Sequence, residues 1–360
     1  MQQLPPAVIN EEALNGLLGR AITDFGATSL AALVVIGDRL GLYRALAVNG
    51  ALTAAELAAK TGTHERYIRE WLNAHAASGY VHYLADSGRY RLSAEQAMLF
   101  AQEDSPAFIV GGFQTALAAG RIVDRLTDAF RTGAGIGWHE HHPDMFPGCA
   151  RFFRVGYINH LVQHWIPALD GVEERLEAGI RVADLGCGVG YSTLIMAKAF
   201  PNSQFVGFDY HVESIAAALG NARDAGLTNV SFEIGSAADF RCVDGAPYDF
   251  VTVFDALHDM GDPAAASRHV RDTLTPDGTW MIVEPYAGDR IEENMNPIGR
   301  AYYAASTLLC TPCSLSQDGR MGLGAQAGEA RLRSVVTGAG FSRFRRALHT
   351  PINLILEARP

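Results

Sequence analysis

The segment "VADLGCGVGYS", residues 182–192, is an apolar run that breaks into a glycine-rich turn and then a helical pattern. A strand feeding a turn and a helix in this way is a repeating unit of an open α/β sheet. The turn sets backbone N–H groups at a helix N-terminus, where they commonly hold phosphate. The glycines are Gly186, Gly188 and Gly190, and Tyr191 stands where a dinucleotide fingerprint carries its third glycine. Asp184, two residues ahead of the turn, would repel a pyrophosphate, and no lysine follows to complete a P-loop. An acid beside a turn open to close backbone approach suits a ligand that carries positive charge.

The rest of the chain extends this unit. From residue 180 onward "RVADLG", "SQFVGFD", "VSFEIG", "YDFVTVFD" and "GTWMIVEP" alternate with helical stretches, which predicts a parallel, doubly wound sheet. Two strand-like segments flank Thr350–Pro351, so the last strand is expected to be antiparallel. Residues 101–175 read as largely helical, broken by the Gly-, His- and Pro-rich "RTGAGIGWHEHHPDMFPG". Apolar spacing over 28–48 predicts one buried or interface helix. Thr53 with Glu56 forms a capping box, Gly62 punctuates, Thr63 opens a second helix and Gly79 ends it. Short alternating segments around Tyr83 and Tyr90 add a wing. The expected fold is α/β: a Rossmann-like doubly wound sheet preceded by a helical winged-helix domain. The expected divisions are 1–100 (dimerisation), 101–175 (helical linker and substrate lid) and 176–360 (the sheet domain).

Charge narrows the partners. A formal charge of −10 gives no general attraction to nucleic acid or anionic membrane. Across residues 51–92 five Lys/Arg face four Asp/Glu, whereas a DNA reader concentrates positive charge on its recognition helix. The winged segment is therefore read as a homodimerisation module. The N-terminus lacks the basic and apolar regions of a secretory signal, and the longest apolar run, "LAALVVIG", is too short to span a bilayer. Five cysteines do not make a disulfide framework. A soluble cytoplasmic protein with no nucleic-acid or membrane partner is expected.

Asp209 ends the second strand of the sheet, "FVGFD", where a carboxylate accepts both hydroxyls of a ribose. After the third, "FEIGSAADF" offers Ser236, Ala237 and Asp239 to an adenine edge. Cys187 in the turn, Tyr210 after Asp209 and Asp255 after the fourth strand complete the expected lining. With Asp184, these residues describe a nucleoside bearing a cationic group, and S-adenosylmethionine fits.

On these motifs the chain resembles the class I S-adenosylmethionine-dependent methyltransferases from about residue 180 to 360. With the winged segment included, it resembles small-molecule O-methyltransferases best known from plants. The resemblance implies that His258 of "HDM" is a general base and that Glu284 of "WMIVEP" orients it. Met260 replaces that family's tryptophan, Asp255 its lysine, and Ser236 the acid that often meets adenine. His258 as a mere border of the cofactor pocket stays open. So does the loop "GWHEHHPDMF", where His139 and His141 are competing catalytic candidates. No recognised ligand spacing is present there, and no metal is expected. Cys310 and Cys313 read as small apolar residues lining a substrate cavity. The expected activity is methyl transfer to a small-molecule acceptor, at a hydroxyl oxygen. S-methylation of a thiol and a cofactor-sensing transcription regulator are the alternatives.

Overall fold

Asn10 caps the first helix, its side chain accepting the Ala13 N–H at 3.0 Å, and α1 (Glu11–Arg39) runs without interruption for 29 residues. It stops at Gly41, whose φ of 66° no longer follows the helix, and α2 (Leu42–Asn49) begins on the other side. The single helix expected over 28–48 is thus two. The computed structural model describes residues 9–360. Its contacts divide the chain into a unit ending at Leu117 and a unit spanning Ala118–Pro360.

In the first unit α3 (Ala54–Thr61) opens with the expected capping box. The Thr53 hydroxyl accepts the Glu56 N–H at 3.2 Å, and the Glu56 carboxylate accepts the Thr53 N–H at 2.8 Å. His64, rather than Thr63, caps α4 (Glu65–Ala77). The wing is the antiparallel pair β1 (His82–Leu84) and β2 (Arg89–Arg91), with Tyr83 opposite Tyr90. On α4 Arg66 pairs with Glu70 at 2.5 Å and Arg69 with Glu65 at 2.6 Å, so both arginines meet acids of their own helix. The first half of α1 carries exposed Leu14, Leu17, Leu18, Ile22 and Phe25. With a mean hydropathy of 1.4 over its most apolar stretch, α1 is long and apolar enough to cross a membrane by length and composition. A count of contiguous apolar residues missed this, because small and polar residues interrupt the run.

The second unit is built on a seven-stranded sheet. Its strands are β3 (Arg181–Leu185), β4 (Gln204–Asp209), β5 (Val230–Ile234), β6 (Tyr248–Phe254), β7 (Leu274–Pro285), β8 (Arg343–His349) and β9 (Asn353–Arg359). Their order is β5-β4-β3-β6-β7-β9-β8. The pairs from β5 through β7 are parallel, and β9 inserts antiparallel between β7 and β8. Both faces are buried. Ala183, Val251, Val253 and Ile282 pack into one core, and Val182, Phe205, Phe250 and Met281 into the other. Two-sided burial is why these strands read as continuous apolar runs. Leu161, Trp165 and Ile166 belong to the second core, so the later part of the region expected as a linker is structurally part of this unit.

Candidate active site

From β3 the chain moves to β4 and β5 in one direction, then returns to β6 and β7 in the other. The crevice beyond the carboxyl ends of β3 and β6 lies at this reversal, where open α/β sheets bind ligands. The expected cofactor residues of the G-x-G-x-G turn and of the β4, β5 and β6 ends stand at this edge.

The turn 186–190 holds its glycines at φ of 67°, 53° and 83°. At Gly188 a Cβ would meet no atom within 4 Å, so the backbone lies open to a ligand there. The Gly188 N–H donates to Asp209 Oδ2 at 2.9 Å, and the His211 N–H donates to Oδ1 at 2.8 Å. One hydrogen bond on each oxygen leaves acceptor capacity on both, which fits a ribose diol. Burial pushes the Asp209 carboxyl above its usual range, against the lowering effect of those two N–H donors. Cys187 is buried, with its N–H on the Phe208 carbonyl at 3.0 Å. Tyr210 is exposed. After β5, Asp239 accepts the Ser236 N–H at 3.1 Å and the Ser236 hydroxyl accepts the Ala238 N–H at 3.1 Å, with Ala237 between them. These side chains close the turn on itself, so what it offers an adenine is chiefly backbone.

Asp184, expected to partner a cationic ligand, is instead fully buried, and its carboxylate accepts from three hydroxyls. Ser192 and Thr193 donate to Oδ2 at 2.6 Å each, and Thr252 donates to Oδ1 at 2.8 Å. Burial outweighs these donors and raises its pKa to about 6. Asp184 therefore ties β3 to β6 and to the helix after the turn. Asp184→Ala strands three buried hydroxyls and is expected to destabilise the protein by about 2–4 kcal/mol. Urea unfolding of the variant checks this.

Beyond β6 the chain brings together four ionisable groups. Asp255 takes a φ of 49°, in the left-handed region, and the short 3-10 turn Leu257–Asp259 follows. His258 is buried, with Nδ1 2.5 Å from Glu284 Oε2 and Nε2 3.1 Å from Asp259 Oδ1. Glu284, at the end of β7, also accepts the Leu257 N–H at 3.0 Å. It is held by the turn it orients. Burial pushes the His258 imidazole down, but the Glu284 and Asp259 carboxylates win and hold its pKa well above 6.5. Burial and these same acids push the Asp255 carboxyl well up, so it is unsuited to a charged role. It accepts from Asn353 Nδ2 at 3.4 Å.

The loop histidines separate. His139 is exposed, whereas His141 is buried with neither ring nitrogen hydrogen-bonded. Burial and nearby Arg125 push the His141 pKa down, while Glu140 and Asp259 pull it up, so His141 lies within electrostatic reach of Asp259. Glu140 pins the loop through Arg125 at 2.5 Å and the Gly137 N–H at 2.6 Å. Cys310 and Cys313 are both buried. Asp259 is a site residue that sequence reasoning does not single out, and Cys310, expected only as an apolar lining residue of a substrate cavity, stands beside it. Asp259's place directly after His258 was the available signal.

Residues 176–321 match a family described as a methyltransferase domain, and residues 28–102 match the Rv2258c-like winged HTH domain. The match to a methyltransferase domain thus follows a match to a winged helix-turn-helix domain along the chain. Among curated relatives, the uncharacterized methyltransferase YcgJ of Bacillus subtilis is 30% identical over 122 residues, 33% of this chain and 47% of that protein. The chain spans about half the length of such relatives. Among solved structures, a putative O-methyltransferase of Nostoc punctiforme superposes with a TM-score of 0.74 at 20% identity, covering 95% of this chain and 98% of that one. Human N-acetylserotonin methyltransferase in complex with SAM gives 0.71 at 16% identity, covering 95% and 97%. At these identities the likeness is one of fold.

Proposed function

We propose that the protein is an S-adenosylmethionine-dependent methyltransferase acting on a hydroxyl oxygen of a small molecule, with His258 as general base. The observation that carries this reading is the buried His258–Glu284 pair at the carboxyl edge of the sheet. The cofactor would supply an electrophilic methyl group on a sulfonium. Asp209 and the Gly188 backbone would hold its ribose, and the turn Ser236–Asp239 its base. Methyl transfer is an in-line displacement, so the protein must chiefly align the nucleophile and exclude water. Glu284 fixes the ring through Nδ1, leaving Nε2 to take the proton of the acceptor. His141, within electrostatic reach of Asp259, supports the reading as well. Its unpartnered buried nitrogens cost about 1–3 kcal/mol, which a hydroxyl-bearing acceptor would recover.

The same electrostatics set a pH dependence. Because the carboxylates hold the His258 pKa above 6.5, the imidazole is mostly protonated near neutrality and cannot accept a proton. kcat/KM should therefore rise with pH through a value above 6.5. In Glu284→Gln the limb should move to lower pH, because a charge favouring the imidazolium is gone, while the maximum rate falls. Initial rates from about pH 5 to 10 for both enzymes test this.

We further propose a cytoplasmic homodimer, supported by five free cysteines and by the apolar face of α1. A second copy would cover Leu17, Leu18 and Ile22 better than solvent does. Leu18→Glu with Ile22→Glu should shift light scattering from dimer to monomer, and an unchanged dimer would place the interface elsewhere. The neutralised arginines of α4 support dimerisation over DNA binding.

A further inference from the structure

We propose that His258, Asp259 and Cys310 form a binding site for a soft divalent cation of the zinc type, and that its occupancy switches the enzyme off. The switching part rests on the base assignment above; the binding part does not.

A ring nitrogen of His258, a carboxylate oxygen of Asp259 and Cys310 Sγ all lie within 4.8 Å of one another. Donors around a tetrahedral zinc, at bond lengths of about 2.0–2.3 Å, stand roughly 3.3–3.7 Å apart. The three atoms are thus gathered within about 1.5 Å of the spacing of a coordination shell. Nε2 and Oδ1 approach to 3.1 Å, yet the buried Oδ1 has no aligned hydrogen-bond donor. Two such atoms side by side, unaligned, can share a cation placed between them. Glu284 on Nδ1 at 2.5 Å is the outer carboxylate that typically orients a metal-bound histidine. A mixed nitrogen, oxygen and sulfur set selects zinc over magnesium or calcium, which prefer all-oxygen shells. Cys310 ends a π-helical turn, Ser306–Cys310, and such turns recur at functional sites because they re-aim a side chain.

The consequence follows from one lone pair. Nε2 can take a proton from an acceptor or bind a metal, and it cannot do both. A bound cation therefore removes the base. It would also place positive charge where the acceptor must lose a proton near a cationic sulfonium.

The test uses the full-length protein and the metal alone. Zinc chloride competed against a chromophoric chelator should show one tight equivalent. Cobalt(II) in its place should give the near-ultraviolet thiolate-to-cobalt absorption. Cys310→Ala should abolish that absorption and weaken zinc by more than the roughly 10–100-fold typical of losing an outer-shell partner. Asp259→Asn, at a more exposed position, should weaken zinc while keeping the absorption. In Cys313→Ala both should persist. With an acceptor in hand, zinc should inhibit wild type, and Cys310→Ala should resist it relative to its own uninhibited rate. Absence of the absorption in wild type, or its persistence in Cys310→Ala, overturns the site. Equal inhibition of both enzymes overturns the switch. A protein that binds zinc as described but transfers no methyl group keeps the site and refutes the functional reading instead.

Discussion

His258→Ala is expected to lower kcat by roughly 10²–10⁴-fold, the usual range for losing a general base. Cofactor affinity should barely change, because His258 meets Glu284 and Asp259 rather than the glycine turn. Raising the pH should recover part of the rate by ionising the acceptor directly. The loop makes a contrasting forecast. His139 is exposed and its alanine variant should be close to wild type, whereas His141→Ala should act mainly on KM for the acceptor. Single-turnover rates of the three variants separate these roles. A His258→Ala enzyme within about threefold of wild type at every pH would end the base assignment.

Asp209→Ala should weaken S-adenosylmethionine by about 1.5–3 kcal/mol, the cost of losing hydrogen bonds to a charged acceptor. The structure adds a second contribution in the same direction. The carboxylate also pins the Gly188 N–H, so its loss loosens the turn that meets the ligand. Asp209→Asn keeps an acceptor oxygen and should fall between the two. Titration calorimetry showing wild-type affinity in Asp209→Ala would remove Asp209 from the cofactor site.

Much of this architecture was legible because local rules and tertiary structure agree. Four of the five parallel strands, β3, β4, β6 and β7, are largely buried on both faces and stand out as runs, whereas only Phe232 is buried on the edge strand β5. The Thr53–Glu56 box and the G-x-G-x-G turn are local and formed as read. What failed depended on contacts distant in sequence. Asp184 was legible as an acid before the turn, but Thr252, 68 residues away, helps occupy its carboxylate. The insertion of β9 between β7 and β8 reflects pairing that no spacing encodes, although the antiparallel sense did follow from the tight Thr350–Pro351 connection. Cys310 reaches His258 and Asp259 only after about 50 residues of intervening chain, so no ligand spacing announced it. Gly41 was visible, yet periodic apolar residues on both sides masked the break.

Methyl transfer at the β6–β7 edge is the chemistry proposed for the protein, and one measurement addresses it most directly. Purified protein is incubated with methyl-labelled S-adenosylmethionine and a small-metabolite pool, with His258→Ala in parallel. Label should appear on the hydroxyl oxygen of a small molecule with wild type and at least about 100-fold more slowly with the variant. Label that appears at the same rate with both enzymes, or on no small molecule at all, would contradict it.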